Sequence, residues 1–318
     1  MTDGVLRIRS FAKVNLALAV LGRRGDGYHD IETVFQGICL RDDGTRRVLS
    51  DEIEFHPAPP PAEAAGRIEL ACEEMPGVAP EDNLVWKAAA ALRAQAPAGV
   101  AGVRIVLRKR IPSGAGLGGG SGDAAATLLG LRRFWGLAVT DAALQGIAEG
   151  LGSDVPFFLA GGTALGTGRG ERLVALPDRP AEHLVVVFPG VEVSTATAYR
   201  ALNRGNLPLT SGGLDPRIQR FLDSAKDGGS SPAGFFNDFE TVILPAHPEI
   251  AEAKSLLDRL GAAATLLSGS GSSVFGFFSD EESACAASRS VKAVRGANWR
   301  AFPAETLARS EYLHRMFG

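Results

Sequence analysis

The sequence is poor in cysteine, has no excess of charge of one sign and contains no long apolar run. Its 318 residues include three cysteines, Cys39, Cys72 and Cys285, which lie far apart and form no Cys-x-x-Cys pair. This spacing indicates neither a disulfide framework nor a thiolate zinc site. We therefore expect the protein to work in a reducing compartment.

Charge and hydropathy argue against two further classes of protein. The chain has 33 basic and 36 acidic residues and a net charge of −3, whereas a nucleic-acid-binding domain usually carries a basic excess. The first residues carry charges where a signal peptide needs an apolar core, and no apolar run approaches the roughly 18 residues that span a bilayer. We expect a cytoplasmic protein that binds neither nucleic acid nor a membrane.

The remaining composition is that of an ordered globular protein. Hydrophobic residues make up 45% of the chain and charged residues 22%, and the length is typical of two packed domains. Predicted strands and helices are mixed without strict alternation and without a fixed-period repeat. This order predicts an α+β fold.

Alternating apolar and polar residues predict a hairpin near the start of the chain. Residues 11–20 form the first strand, and Lys13 and Asn15 share one of its faces. The predicted opposite face carries Ala12, Val14, Leu16, Leu18 and Val20. A turn rich in glycine separates this strand from a second one over residues 31–40.

The later elements follow from helical spacing, strand alternation and breaker residues. Asp82 is expected to cap a helix over residues 83–95. The other predicted elements are strands over 103–111 and 183–188, helices over 124–137 and from Thr140, a mostly helical stretch over 237–260, and a strand, turn and strand over 265–278. The proline-rich residues 57–66 indicate a surface excursion, and the glycine-dense residues 161–170 indicate a boundary between halves.

Residues 112–123 hold six glycines between a predicted strand and a predicted helix. Exposed backbone N–H groups and the positive end of a helix dipole suit nucleotide phosphates. The loop lacks the Lys-Ser or Lys-Thr pair of a Walker A motif. It matches Gly-x-Gly-x-x-Gly at Gly114, Gly116 and Gly119, but a dinucleotide site expects an acid after a second strand about 20 residues on, and that region is predicted helix. The other alternative is a connector whose glycines serve packing alone, although ordering so many glycines costs entropy.

Four motifs of the chain together resemble those of a kinase family. The glycine loop resembles the phosphate loop of the galactokinase, homoserine kinase, mevalonate kinase and phosphomevalonate kinase (GHMP) superfamily. Residues 12–16 with 25–29, residues 151–156 and residues 267–271 narrow the resemblance to the superfamily members that phosphorylate a cytidine-diphosphate-linked methylerythritol in the non-mevalonate isoprenoid pathway. The resemblance spans about residues 8 to 278 of the chain.

This resemblance implies a two-domain GHMP-kinase fold. The N-terminal domain, residues 1–165, is expected to be ribosomal-protein-S5-domain-2-like and to bind ATP. The C-terminal domain, residues 166–318, is expected to be a ferredoxin-like α/β domain that binds the substrate. The implied reaction transfers a phosphoryl group from ATP to the 2-hydroxyl of the methylerythritol.

The resemblance also implies catalytic residues. Asp154 is the candidate general base, and Lys13 either favours its ionised form or stabilises charge on the transferring phosphoryl group. From the residues alone, Asp154 could equally be a helix cap or a turn residue. Lys13 could equally be a lysine on the solvent side of a strand.

By the same resemblance, twelve residues are expected to bind ATP: Asn83, Pro112, Ser113, Gly114, Ala115, Gly116, Leu117, Gly118, Gly119, Gly120, Ser121 and Gly122. A helix-start role would explain Asn83 equally well. The family usually has Ser-Asn where this chain has Gly122 and Asp123. An aspartate there repels phosphate unless its side chain points away or engages a metal ion.

The substrate residues are expected around an aromatic pair. Tyr28 and Tyr199 should sandwich the cytosine, with His29 hydrogen-bonded to it, because aromatic faces stack on bases and an imidazole reads their edges. Asn15 should bind the polar tail of the substrate, unless it is only a polar edge position. The alternative for Tyr28 and His29 is a hairpin turn. Residues 268–271 are expected to form an ordered turn at the active site rather than a flexible linker.

Three other functions stay open from the sequence: a homoserine- or mevalonate-type kinase, a non-catalytic nucleotide-binding regulator and a dehydrogenase. Tyr28 and His29 argue against the first, and the presence of both Lys13 and Asp154 argues against the second. No His, Cys, Asp or Glu cluster has structural-metal spacing, and Mg²⁺ is expected with ATP because it bridges phosphate oxygens. The expected state is a monomer or weak homodimer.

Overall fold

The structure is a computed structural model that describes residues 4–58, 66–97, 99–205, 213–226 and 234–318. Its strands there, numbered in chain order, are β1 (Leu6–Ser10), β2 (Ala12–Arg23), β3 (His29–Arg41), β4 (Val48–Leu49), β5 (Asp51–Pro57), β6 (Ile68–Ala71), β7 (Val103–Arg108), β8 (Thr163–Thr167), β9 (Arg172–Ala175), β10 (His183–Phe188), β11 (Phe236–Asn237), β12 (Ala264–Leu267), β13 (Val274–Phe278) and β14 (Arg300–Thr306). Most of the predicted proline-rich excursion lies outside the described residues.

The helices in the same residues are α1 (Leu84–Arg93), α2 (Gly119–Phe134), α3 (Asp141–Leu151), α4 (Thr195–Leu202), α5 (Pro216–Lys226), α6 (Glu240–Ala246), α7 (Pro248–Arg259), α8 (Glu281–Arg295) and α9 (Arg309–Phe317). Short 3-10 helices cover Pro80–Asp82, Pro156–Leu159 and Gly296–Asn298. The mixture of helix and sheet confirms the predicted α+β class. None of the helices in the described ranges has both the length and the apolar character needed to cross a membrane.

The strands form two sheets. The smaller has the order β1-β5-β7-β6, in which only the β6–β7 pair is parallel. The larger has ten strands along the path β11-β2-β3-β14-β10-β13-β12, with β4 and β8 also on β3 and β9 on β8. Strands from both sides of residue 165 share this sheet. The prediction that residues 1–165 bind ATP and residues 166–318 bind the substrate stays a prediction.

The predicted hairpin is confirmed, but its first strand does not keep one apolar face. Strands β2 and β3 pair antiparallel, and the register shifts between Asn15 and Ala17. Such a bulge places one extra residue in the strand, so the side chains beyond it change sides. Val14 therefore packs in a different core from Leu18 and Val20. The prediction that all five apolar positions share a face is wrong for this reason.

Three apolar cores hold the sheets and helices together. In the first, the smaller sheet packs against α1, α2 and α9 through residues such as Phe55, Leu128 and Tyr312. A second lies on one face of the larger sheet, and a third joins that sheet to α6, α7 and α8. Burial of this much apolar surface is the main force that stabilises such an arrangement.

Two helix starts differ from the predicted ones. Asp82 ends a 3-10 helix, and it is Asn83 that caps α1 by accepting a hydrogen bond from the Val85 N–H at 2.9 Å. Helix α2 begins at Gly119, inside the glycine loop, rather than at residue 124. The low helix propensity of glycine hid this start, since packing rather than propensity determines it. The helix predicted from Thr140 is confirmed, and Thr140 itself is the N-cap of α3.

Candidate active site

Strand β2 carries a buried lysine at the wall of a large cavity. Lys13 is 3% exposed, and its ammonium donates to the Asn15 amide oxygen at 2.9 Å. The Asn15 amide nitrogen donates to the Thr33 hydroxyl at 2.8 Å, and that hydroxyl donates to the Ala17 carbonyl. Because each side chain in this series of hydrogen bonds has a partner, the orientation of both Lys13 and Asn15 is fixed. Lys13 is not the solvent-facing lysine of the alternative.

Asp154 lies opposite this lysine, in the turn between α3 and the 3-10 helix that follows. Its Oδ2 is 3.4 Å from Lys13 Nζ, and its side chain is 33% exposed, against 4% for the lysine side chain. The N-cap of the 3-10 helix is Val155, so capping does not explain the aspartate. A carboxylate that faces a cavity beside a buried cation can accept a proton from a bound hydroxyl.

The glycine loop has a shape that only glycine permits at two positions. Gly116 and Gly118 have φ of +76° and +69°, a region that glycine adopts without strain. A Cβ on Gly116 would lie 2.1 Å from the Ser268 carbonyl oxygen, and one on Gly118 would lie 2.8 Å from the Phe158 ring. Gly120, in contrast, meets only a leucine side chain at 3.7 Å. Close packing therefore explains some of the loop's glycines but not all of them.

Helix α2 presents its N-terminus to a cavity. The helix is 16 residues long and has Gly118 at its N-cap. The first N–H groups of any α-helix have no partner within the helix, and they carry the positive end of its dipole. Here they belong to Gly119, Gly120 and Ser121, all of which line the cavity. Backbone N–H groups in this position suit an anion, and the anion site that the glycine pattern predicts stays a prediction.

The loop is tied to the turn at residues 268–271. The Ser268 hydroxyl donates to the Gly116 carbonyl at 2.9 Å, and the Ser273 N–H donates to the Ala115 carbonyl at 3.0 Å. The turn lies between β12 and β13, which pair antiparallel. Residues 268–271 therefore form an ordered turn at the site, as predicted, and not a flexible linker.

A cavity of 340 Å³ extends over the loop and the N-terminus of α2. Met75, Leu84 and Leu107 contribute apolar lining. All the residues predicted to bind ATP line this cavity except Leu117 and Gly122. Those two are buried: Leu117 joins the core, with its carbonyl accepting from the backbone N–H of β2, and Gly122 faces β1. We call this space the nucleotide cavity.

A second and larger cavity of 910 Å³ contains Lys13, Asn15 and Asp154. The two cavities share Gly116 and Gly118 as lining residues. A phosphoryl donor in the nucleotide cavity and an acceptor in the larger one would thus meet at these glycines. We call the larger space the acceptor cavity.

The three predicted cytosine-binding residues all line the acceptor cavity, but in a different arrangement from the predicted one. The His29 ring stacks on the Tyr199 ring, with centroids 4.7 Å apart and an interplanar angle of 18°. Tyr28 is 56% exposed, and the Arg169 guanidinium lies 5.0 Å from its ring centroid. The imidazole therefore lies against Tyr199, where we expected a base. The sandwich by Tyr28 and Tyr199 stays a prediction.

Two of these aromatic side chains have shifted pKa values. Burial, aided by the charge of Arg23, lowers the pKa of His29 below its ordinary value. The imidazole is therefore neutral at neutral pH and offers one donor and one acceptor. Burial and the charge of Asp154 raise the pKa of Tyr199. Its hydroxyl thus stays protonated throughout the physiological range.

Basic side chains dominate the charge of the acceptor cavity. Among the described residues, its ionisable lining apart from the histidine and tyrosines is five basic side chains and one acid: Lys13, Arg23, Arg169, Arg200, Arg204 and Asp154. None of the four arginines belongs to the sequence motifs. Arg169 falls in the glycine-dense stretch 161–170 and Arg200 follows Tyr199 directly, but neither position marks an arginine as part of the site. A cavity with this lining attracts an anionic ligand, although the whole chain is acidic.

The structure explains the two loop residues that differ from the family pattern, Gly122 and Asp123. Asp123 is 1% exposed, and its carboxylate accepts from Lys109 Nζ at 2.6 Å. A Cβ on Gly122 would lie 2.7 Å from the Ser10 hydroxyl, so that position must be small. The carboxylate is thus paired with a lysine. Within the described parts of the chain, no group of three or more His, Cys, Asp and Glu side chains could hold a metal ion.

Comparison with known proteins identifies relatives of this chain. The GHMP kinases N terminal domain matches residues 83–162, and the GHMP kinases C terminal domain matches residues 217–295. The 4-diphosphocytidyl-2-C-methyl-D-erythritol kinase of Solibacter usitatus is 45% identical over 278 residues, which are 86% of this chain and 81% of that protein. The enzyme of the same name from Pelobacter propionicus is 41% identical over 95% of this chain and 99% of its own.

Solved structures are similar over the same extent. A crystal structure of 4-(cytidine 5'-diphospho)-2C-methyl-D-erythritol kinase has a TM-score of 0.74 and 34% identity, and covers 95% of this chain and 99% of its own. The homoserine kinase of Cytophaga hutchinsonii has a TM-score of 0.69 at 18% identity, with 97% and 96% covered. The second likeness shows the fold alone.

Proposed function

The chain belongs to the 4-diphosphocytidyl-2-C-methyl-D-erythritol kinases of the GHMP kinase family, and on that premise we propose how its two cavities carry out the reaction. It is an ATP-dependent kinase of the non-mevalonate isoprenoid pathway. ATP binds in the nucleotide cavity, with its phosphates on the glycine loop. The cytidine-diphosphate-linked methylerythritol binds in the acceptor cavity. The observation that carries the proposal is the Lys13–Asp154 pair beside the glycines that both cavities share.

The transfer step uses Asp154 as the general base. Its carboxylate takes the proton of the substrate 2-hydroxyl while the hydroxyl oxygen bonds to the γ-phosphorus of ATP. The bond from that phosphorus to the β–γ bridging oxygen breaks, and ADP leaves. Lys13 stabilises the charge on the transferring group, because its buried ammonium is fixed by Asn15 and needs no reorganisation during the step.

The acceptor cavity suits the rest of the substrate. Its basic lining complements a diphosphate, and its aromatic side chains, Tyr28, His29 and Tyr199, offer flat surfaces for a pyrimidine ring. We propose that the base enters between Tyr28 and Tyr199 and that His29 leaves its stack on Tyr199 to bond to the base edge. A neutral imidazole can make that bond as donor or acceptor. Asn15 binds the polar tail next to Lys13.

We propose that Mg²⁺ accompanies ATP and that phosphate oxygens supply most of its ligands. Ser121 is partly exposed and lines the nucleotide cavity, so its hydroxyl would complete the coordination shell. Bound there, the ion would neutralise phosphate charge. We further propose that the enzyme works in the cytoplasm as a monomer or weak homodimer.

The test is an ADP-release assay with the purified protein and a panel of acceptors. We expect turnover with 4-diphosphocytidyl-2-C-methyl-D-erythritol and none above background with mevalonate or homoserine. Phosphorus NMR of the product should place the new phosphate on the 2-hydroxyl. Turnover with homoserine or mevalonate alone would assign the protein to another branch of the superfamily. Failure to consume ATP with every acceptor would favour a nucleotide-binding regulator.

A further inference from the structure

A buried aspartate beside the acceptor cavity is shared by two arginines, and the transfer step does not use it. Asp238 directly follows β11, and its side chain is 5% exposed. Its Oδ1 accepts from Arg217 Nη1 of α5 at 2.5 Å, and its Oδ2 accepts from Arg204 Nη2 at 3.1 Å. The Val20 N–H of β2 also donates to Oδ2, at 2.9 Å. Both oxygens of this buried carboxylate therefore have donors, as a buried charge requires.

The short strand β11 explains why Asp238 lies at this place. The strand pairs parallel with β2 over two positions, and the Asp238 N–H extends the pairing to the Leu18 carbonyl at 3.0 Å. The side chain then continues the pairing where β11 ends, because it accepts from the Val20 N–H. The backbone of β2 thus determines where the carboxylate lies.

Arg204 reaches this carboxylate from the end of α4. The helix ends at Leu202, and Asn203 after it has a left-handed conformation with a φ of +45°. Arg204 lines the acceptor cavity, and its side chain is 37% exposed. A guanidinium has five N–H donors in a planar fork, of which the bond to Asp238 uses one. The same group can therefore bond to the carboxylate and to an anion in the cavity.

The anchor of Arg204 lies between the two ends of the proposed substrate site. Along β2, Lys13 is at the transfer end, and the aromatic end is where the strand pairs with His29. The backbone N–H that anchors Asp238, that of Val20, lies between these two positions. A substrate with its base at one end and its reacting hydroxyl at the other has its diphosphate in the middle. Arg204 is thus held beside the part of the cavity that the diphosphate must cross.

We propose that Arg204 binds the diphosphate of the cytidine-linked substrate and that Asp238 is the positioning residue that holds its guanidinium there. The inference rests on the proposed function, which places this substrate in the acceptor cavity. Arg204 differs from Arg200, which bonds to a hydroxyl on its own helix. A side chain that a buried carboxylate already holds loses less conformational freedom when it binds phosphate. Arg204 therefore contributes a short-range contact.

The experiment measures the dissociation constants of CDP and of cytidine by titration calorimetry, at low and at high salt. It compares the wild type, Arg204→Gln and the control Arg132→Gln. Arg132 of α2 also bonds to an aspartate, Asp141, at 2.6 Å, and is not among the described residues that line either cavity. The wild type and the control should bind CDP more tightly than cytidine. Arg204→Gln should reduce this preference about tenfold at both salt concentrations, the loss expected for one charge-assisted hydrogen bond.

A double-mutant cycle tests the part of Asp238. Asp238→Asn keeps an oxygen that can accept from Val20, and it buries no unpaired charge because both arginines are 37% exposed. The variant should weaken the binding of CDP and leave that of cytidine unchanged. Adding Arg204→Gln should then reduce the affinity for CDP no further than Arg204→Gln does alone. If Asp238→Asn does not fold, Asp238→Glu, which keeps the charge but displaces the carboxylate, takes its place in the cycle.

Several results would overturn the inference. An unchanged preference for CDP in Arg204→Gln would do so, as would equal losses for CDP and cytidine. A loss that disappears at high salt would mean that Arg204 only attracts the anion from a distance, because salt screens long-range attraction far more than a contact. Losses that multiply in the double variant would show that Asp238 does not act through Arg204. Failure of the wild type to bind either CDP or cytidine would instead contradict the proposed function.

Discussion

At the scale of single residues, Asp154 can be replaced with little change to the packing around it. The carboxylate is one-third exposed and has the lysine as its short-range charged neighbour. Replacing Asp154 with asparagine removes a base but little packing. We expect kcat of Asp154→Asn to fall by at least about 100-fold, because general-base catalysis contributes on that order. Steady-state ADP release measures it.

The control for this prediction is the stability of the same variant. The melting temperature of Asp154→Asn should stay close to that of the wild type, because Asp154 is one-third exposed and Asn15 still accepts from the Lys13 ammonium. The Michaelis constant for ATP should also change little. Wild-type turnover in a folded Asp154→Asn protein would remove the residue from the role of base.

The stacked pair of His29 and Tyr199 supports a second prediction at this scale. Replacing His29 with alanine removes the imidazole from the acceptor cavity but leaves the nucleotide cavity untouched. The Michaelis constant for the cytidine-linked substrate should rise about tenfold or more, the loss expected for one hydrogen bond and a ring contact. That for ATP should change far less. His56→Ala, which removes a histidine paired with Glu54, should change neither, and equal effects of His29→Ala on both constants would argue against recognition of the base.

At the scale of elements, the glycine loop and the turn after β12 fit together through their backbones. Gly114 and Gly116 both have positive φ, but only Gly116 is closed in, by the Ser268 carbonyl. Alanine at Gly114 should cost about 1 kcal/mol of stability, the price of a left-handed conformation. Alanine at Gly116 should cost about 2 kcal/mol more, because the backbones must separate.

Thermal unfolding of the two variants separates these contributions. About 2 °C per kcal/mol is expected for a chain of this size, so Gly116→Ala should melt clearly below Gly114→Ala. Gly116→Ala should also lose activity, since Gly116 lines both cavities and the displaced turn borders the acceptor cavity. Equal melting temperatures for the two alanine variants would mean that the loop and the turn are not in contact.

The same elements show what the sequence could and could not predict. The alternation of β2 placed Lys13 and Asn15 together correctly, because no irregularity lies between them. It failed beyond Asn15, where a bulge turns Leu18 into the acceptor cavity. A bulge depends on pairing with β3, and the local pattern of one strand does not contain that information. The early start of α2 was missed because its first turn is mostly glycine.

Some residues around the site belong to a local sequence motif, whereas others meet only through contacts between distant parts of the sequence. Lys13 and Asp154 were found through motifs in which each residue has its own local signature. Asp51 and Lys109 are 58 positions apart in the sequence and meet only because β5 and β7 are neighbours in the smaller sheet. Nothing next to either residue predicts the pair. Arg23 and Arg200 were missed for another reason: arginines are common on any surface, so their presence near Tyr28 and Tyr199 does not mark a site.

At the scale of the whole molecule, the distribution of charge matters more than its sum. The chain carries a net charge of −3, which alone would repel an anionic substrate. The acceptor cavity nevertheless has five basic side chains and one carboxylate in its lining. Field lines concentrate in such a cleft, and this raises the rate at which anions enter it. The molecule thus directs the substrate to one opening while its remaining surface stays acidic.

This charge distribution predicts a salt-sensitive second-order rate constant. We expect kcat/KM for the cytidine-linked substrate to fall as ionic strength rises, and Arg200→Gln to lower it about threefold or more at low salt with a shallower salt dependence. The exposed residue Arg259 bonds to a hydroxyl one turn away, as Arg200 does, so Arg259→Gln is a matched control that should behave as the wild type. The kcat of Arg200→Gln should be unchanged, since Arg200 bonds to Thr197 and not to Lys13 or Asp154. An identical salt dependence in all three proteins would show that the arginine does not contribute to substrate entry.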